Sequence, residues 1–328
     1  MAAEVENNIV WFTYTGQEEI PNEATHIIVD IRIVPRMAFR GNRNIVEVIC
    51  LDKVERIEVE AFFNCPSLRR VIMPGVKIVE EDSFQYCEAL TDVECGKLEI
   101  IKSNAFDRCN SLRSIDLPSV RNVESYAFDG CTALTDVKFG IKLERIEVVA
   151  FLFCTSLERI TIPLKDGVIT ADDTFQACEN LKYVDLIEGA VLHETVTALQ
   201  SDVWRDDMNR DIDSINQILP IVSAGYVEDG EGNEYYGQKA RVVQWWIRSV
   251  LGKIIHYKAK HQRILDEAAA TLQLALPHEI VTNSVLPFLA LALPEHTFEG
   301  EDEVTEEDDD VHNGGDVGLG LRRRGVSR

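Results

Sequence analysis

The residues best equipped for chemistry in this chain are its eight cysteines, at positions 50, 65, 87, 95, 109, 131, 154 and 178. A thiolate can act as a nucleophile, a metal ligand or half of a disulfide, and spacing helps to separate those uses. No Cys-x-x-Cys pair occurs, which disfavours a zinc site. Six of the eight instead recur every 22 to 24 residues. Regular return at that interval points to a structural repeat, with the thiols read as small buried hydrophobes. Equivalent thiols in neighbouring turns would lie about 5 Å apart, one strand spacing.

Other candidate chemistry is weaker. Neither a Walker A sequence nor a G-x-G-x-x-G loop is present. The segment from Asp229 to Glu234 superficially resembles a calcium loop. It places Glu234 where the sixth position needs glycine and Ala240 where the twelfth needs glutamate. His256 and His261 are five residues apart and do not share a helix face as a metal pair would. The expectation is no metal and no cofactor. An enzyme of unknown type would require a pocket of carboxylates with strongly perturbed pKa values.

The repeat itself is marked by Phe39, Phe62, Phe84, Phe106, Phe128, Phe151 and Phe175. A small residue precedes each Phe, from Ala38 to Thr174. Three residues later stands Asn42 in the first turn and Cys in the other six. Apolar residues follow at plus six, plus nine and plus eleven, as in Leu112, Ile115 and Leu117 after Phe106. Alternate side chains of a strand share a face, so these positions describe a short strand with one buried face. A single turn of about 22 residues cannot bury that face, whereas stacked turns can. The Phe residues are expected to stack into a spine. The seventh turn puts Gly167 and Thr170 where the others have apolar residues, so an insertion is expected around Lys165, Asp166 and Gly167. Turns ending Met73-Pro74, Leu117-Pro118 and Ile162-Pro163 alternate with turns lacking Pro, a 44- to 45-residue super-repeat.

The pattern Ala105-Phe106-x-x-Cys109-x-x-Leu112-x-x-Ile115-x-Leu117-Pro118 resembles the BspA-like class of leucine-rich repeats. The likeness covers about residues 27–187 and recurs seven times in phase. It implies a right-handed leucine-rich solenoid of β strands joined by short helical or 3-10 turns, serving as a binding scaffold. The class includes secreted and cell-surface proteins; the N-terminal residues here form no signal peptide, so surface adhesion is not carried over. Repeats followed by a helical module also resemble a layout found in expanded families of unicellular algae.

Beyond Gly189 the period becomes helical. Met208, Ile212, Ile215 and Leu219 step by four, three and four. A Gly-rich loop then precedes a long helix over 238–276, whose seam runs Val243, Ile247, Val250, Ile254, Tyr257, His261, Ile264, Ala268, Thr271 and Ala275. An antiparallel helical hairpin is expected, with an intermolecular coiled coil as the alternative. Lys239, Arg241, Arg248, Lys253, Lys258, Lys260 and Arg263 give the helix a local charge of +7, suited to offset the acidic repeats or to dock an anionic partner. Of the adjacent Trp245 and Trp246, one is expected in the core. Leu286 to Leu289 is expected to pack back on the helices. Residues 299–310 hold nine acids and no base, which reads as a disordered acidic tail followed by a basic end.

The organisation expected is therefore an N-terminal segment and cap (1–30), a solenoid of about seven turns (31–192), a helical module (193–293) and a tail (294–328). With 328 residues and a formal charge of −23, the chain repels phosphate, so nucleic acid is excluded as a main partner. No apolar run reaches the roughly 20 residues that a membrane span needs, and a cytoplasmic location is expected. The leading function is a non-enzymatic scaffold for protein–protein interaction. Its candidate face comprises Arg70, Asp92, Glu94, Asp116, Asp136, Lys138, Arg159, Tyr183 and Asp185, whose mixed signs favour a protein over a polyanion. The alternative is a structural protein that self-associates weakly through the 238–276 helix.

Overall fold

The structure is a computed structural model describing residues 9–187, 202–224, 227–228, 234–235 and 238–274. Each repeat contributes one longer strand, one two-residue strand and one turn segment, so the solenoid has three sides. The longer strands are β1 (Trp11–Tyr14), β2 (His26–Val29), β4 (Glu47–Cys50), β6 (Arg70–Ile72), β8 (Asp92–Glu94), β10 (Ser114–Leu117), β12 (Asp136–Phe139), β14 (Arg159–Ile162) and β15 (Tyr183–Leu186). The two-residue strands are β3 (Ile33–Val34), β5 (Arg56–Ile57), β7 (Ile78–Val79), β9 (Ile100–Ile101), β11 (Asn122–Val123) and β13 (Arg145–Ile146). All repeat pairings are parallel, as a coil rising one turn at a time requires.

The longer strands form two sheets, β1-β2-β4-β6-β8 and β10-β12-β14-β15. The break between β8 and β10 falls where the 22-residue step sets Glu94 opposite Asp116. The thiol of Cys95 still spans the gap, at 3.7 Å from the Asp116 carbonyl.

The third side carries the Phe spine. Rings from Phe39 to Phe151 stack at 4.7 to 5.3 Å between centroids, with planes within 5°. The last step, Phe151 to Phe175, opens to 5.8 Å and tilts by 28°. The backbone here alternates between two kinds of bond. Glu60, Phe62 and Asn64 donate forward to the carbonyls of Glu81, Ser83 and Gln85 at 2.8 to 3.0 Å, while Ala61 and Phe63 close 3-10-type bonds within their own turn. This requires left-handed residues two before and two after the Phe: Glu60 and Asn64, Asp82 and Tyr86, Asn104 and Arg108. Each non-glycine residue so placed costs about 1–2 kcal/mol, offset by the bonds between turns.

In the seventh turn the register recovers in an unexpected way. Ile169 pairs with Ile146, and Val168 and Ile169 are buried, so they take the inward places that counting assigned to Gly167 and Thr170. The added length is therefore split: one residue precedes Ile169 and one follows it, before Phe175.

After the repeats come α1 (Asp202–Ile218) and α2 (Gln238–Gln273), with a two-stranded antiparallel ribbon, Val227–Glu228 and Glu234–Tyr235, between them. Pro220 ends α1 in a 3-10 turn over Leu219–Ile221. Trp204 meets Tyr257, Asp207 meets Lys253 and Tyr257, and Asp211 meets Trp246 and Lys253, so the two helices run antiparallel. Trp246 is the buried tryptophan, its Nε1 donating to the Asp211 carbonyl at 2.9 Å, while Trp245 is exposed.

The hairpin covers the last turn. Lys239, almost fully buried, donates from Nζ to the carbonyls of Glu179 and Leu181 at 3.0 and 2.5 Å. The Val184 amide donates to Asn216 Oδ1, and the Ala177 amide to the Ala224 carbonyl, both at 2.9 Å. Backbone groups that another turn would have paired are thereby satisfied. The Asp229 loop, Leu286 to Leu289 and the 299–310 tail lie outside the described residues.

Candidate interaction face

The longer strands alternate inward and outward side chains, and the outward ones line up from rung to rung. Arg70 stands opposite Asp92, Asp136 opposite Arg159, and Arg159 opposite Tyr183. In the next outward column Asp116 stands opposite Lys138, and Thr161 opposite Asp185. Glu94 is outward on β8, opposite Ile72. All nine sequence-selected residues thus fall on one side of the solenoid. Arg70, Asp92, Glu94, Asp116, Lys138 and Tyr183 are exposed, and Asp136, Arg159 and Asp185 half-buried.

These residues form two ion clusters. Arg70 reaches Glu47, Asp92 and Glu94 at 3.6, 3.0 and 2.5 Å. Arg159 reaches Asp136 and Asp185 at 4.0 and 2.5 Å and lies over the Tyr183 ring at 4.6 Å. Exposed ion pairs of this kind add about 0–1 kcal/mol each, so stability alone does not account for the arrangement.

A neighbouring stretch of the same face extends past the nine sequence-selected residues. Ile28, Ile49 and Ile72 occupy successive rungs of the outer column, partly exposed and outside the core cluster. Trp11 stands at the end of the adjoining column, 47% exposed, its ring 4.8 Å from that of His26. Strand alternation through β4 and β6 would have revealed the column, but β1 and β2 precede the first Phe and carry no repeat signal.

The thiols are not placed for chemistry. All eight are buried and unbridged. Burial pushes Cys50 and Cys95 up to about 12, and raises Cys87, Cys109 and Cys154 well above the ordinary thiol range. A buried neutral thiol is a poor nucleophile and a poor ligand. Among the described residues no cluster of His, Cys, Asp or Glu is arranged to hold a metal.

Two carboxylates on the Phe side are perturbed. Asp107 is buried, accepts from Gln85 Nε2 at 2.6 Å and leaves Oδ1 without a hydrogen-bond partner. Burial raises its pKa first, with Asp82 adding to the rise, against the pull of the Gln85 bond and Arg108. Asp129, in the next turn, is pushed up to about 6 by burial and then by Asp107.

The basic helix turns several of its cations inward. Arg241 pairs with Asp172 at 2.6 Å and Arg248 with Asp166 at 3.0 Å, beside an open cleft of about 770 Å³ also lined by Val148, Ile169 and Asp173. Lys253 pairs with Asp207 and Asp211, and Lys260 lies over Trp204 at 5.1 Å. The first part of the helical seam is also used internally: Val243, Ile247, Val250 and His261 are buried, while Ile264 is exposed. His256 is exposed. Among the described residues no helix is long and apolar enough to cross a membrane.

No curated protein matches the chain. Among solved structures, a leucine-rich repeat protein from Bacteroides ovatus is 27% identical over 52% of this chain and 47% of its own, with a TM-score of 0.40. A leucine-rich repeat protein from T. pallidum is 24% identical over 56% of this chain and 76% of its own, with a TM-score of 0.39. An internalin from Listeria monocytogenes is 11% identical over 51% and 56%, with a TM-score of 0.31. The chain spans about half the length of the first of these, 47%. A family model described as the BspA type leucine rich repeat region matches in six copies, over residues 19–119 and 77–192. These matches run over more than half of the sequence, and the chain belongs to the BspA-type leucine-rich repeat family.

Proposed function

We propose that this protein is a non-enzymatic scaffold that binds another protein through the outward side chains of its longer strands. The observation that carries this reading is the run of aligned outward columns over nine strands, with two clusters that present Arg, Tyr and acids to solvent. Partner recognition in interfaces concentrates on Trp, Tyr and Arg anchors, the types found here at Trp11, Arg70, Arg159 and Tyr183. Repeat scaffolds recognise partners through extended surfaces of this kind. The buried, raised thiols support a binding role over a catalytic one. Eight unbridged cysteines also suit a reducing compartment, in keeping with a cytoplasmic location.

The test is affinity capture from the native cell with wild-type protein and with Arg70, Arg159 and Tyr183 replaced together by alanine. Specific partner recovery is expected to vanish in the triple variant while its circular dichroism is unchanged. Equal recovery with both proteins places the binding surface elsewhere.

A further inference from the structure

The face has a direction along the solenoid axis. From β2 to β6 its outer column is apolar, Ile28, Ile49 and Ile72 in consecutive rungs. At β8 and β10 the same column is acidic, with Glu94 and then Asp116, before Lys138 follows opposite Asp116 on β12. In the adjoining column Arg70 is surrounded by Glu47, Asp92 and Glu94, so that cluster carries more negative than positive charge. Asp116 makes no ion pair among the described residues, and the sheet is interrupted between β8 and β10 where Glu94 and Asp116 would face each other. A single outside cation set between these two carboxylates would be attracted to both.

Apolar columns on the outside of a sheet add little to folding, because water still reaches them. Here the three isoleucines lie outside the core cluster, and Trp11 and Leu51 are exposed nearby. Interfaces place such a patch at their centre and charges at the rim. The stretch from β1 to β10 spans about 24 Å at ordinary strand spacing, the length of a short peptide segment. A second copy of this chain is a poor occupant, since each carries a charge of −23.

Resting on the scaffold reading above, we infer that the partner segment is cationic and amphipathic. Its apolar side chains cover Ile28, Ile49 and Ile72, and a Lys or Arg at one end reaches Glu94 and Asp116.

A random peptide library of balanced composition, displayed on phage, provides the probe. It would be panned on the immobilised full chain, and selected peptides measured by fluorescence anisotropy. Three variants are compared: Ile28→Thr with Ile49→Thr and Ile72→Thr, which keeps β-branched residues in the strands; Glu94→Lys with Asp116→Lys; and the Arg70, Arg159 and Tyr183 alanine variant above. The expected result is peptides with an apolar block and a basic end, weakened at least tenfold by either of the first two variants, and weakened by added salt. Peptides lost with the threonine variant but without a basic end, or indifferent to charge reversal, overturn the cationic assignment and leave the face reading intact. Peptides lost only with the Arg70, Arg159 and Tyr183 variant also overturn it. Peptides that ignore all three variants overturn both readings. If wild-type protein sediments as a dimer and the threonine variant as a monomer, the occupant is a second copy and the inference is wrong.

Discussion

The Cys109 thiol donates to the backbone carbonyl of Phe84 in the preceding turn, at 3.3 Å. The same bond recurs from Cys65 to Phe39, Cys87 to Phe62, Cys131 to Phe106, Cys154 to Phe128 and Cys178 to Phe151. Cysteine suits this place because it fills a small apolar hole and still offers a weak donor. The first turn has no Phe behind it, and there Asn42 instead accepts from the amides of Asn44 and Ile45. Replacing Cys109 with Ala removes both the packing and the bond, with an expected loss of about 1–3 kcal/mol in chemical denaturation. In the native protein a thiol reagent such as DTNB is expected to react slowly, and all eight thiols to titrate only in denaturant. Rapid native labelling would contradict the placement.

The Phe spine predicts a gradient. Phe106→Ala, between two parallel rings at 5.3 Å on either side, is expected to cost about 3–5 kcal/mol. Phe175→Ala, at the tilted end of the stack, is expected to cost less. Thermal midpoints of the two variants check the order, and equal or reversed losses would contradict a continuous stack.

Asp129 gives a pH dependence. Its folded pKa of about 6 lies above the ordinary carboxylate value of 3.8, through burial and Asp107. The charged groups around this pair are Asp82 and Arg108, the second of which pulls the other way. Between those two values the folded state holds a proton that the unfolded state has lost, so stability falls as pH rises through the window. Asp129→Asn is therefore expected to raise the thermal midpoint at pH 7, by an amount corresponding to about 1 kcal/mol after solvent screening. It is expected to change little below pH 4. Melting curves across that range decide it.

Lys239 predicts the role of the helical cap. Its Nζ closes on two carbonyls of the last turn, and burial lowers its pKa. Lys239→Met keeps the apolar stem and removes the donor, leaving the carbonyls of Glu179 and Leu181 unpaired. Hydrogen exchange of the amides from Cys178 to Leu186 is expected to accelerate in this variant, with those of β6 to β10 unchanged.

The repeats were legible because one period governs everything that is buried. The inward residues, the Phe stack and the cysteine places all follow from stacking turns of nearly constant length. Other features follow from forces that leave no such period. Met37, Glu60 and Phe153 adopt left-handed backbone although none is a residue type that seeks it. The bonds between turns hold them there, and those bonds are invisible in local sequence. The cations of α2 read as one basic stripe, yet Lys239, Arg241, Arg248 and Lys253 point at different elements. Ile28 was hidden because β1 and β2 join the sheet without a Phe turn before them.

The claim that the outward side of the longer strands is the partner surface is tested most directly by photo-crosslinking in the native cell. A benzophenone amino acid would be placed at Asp116 or Tyr183 on that side, and at Arg145 on the two-residue-strand side. The account predicts a discrete adduct from positions 116 and 183 and none from 145. Adducts from 145 alone, or equally from all three positions, would contradict it.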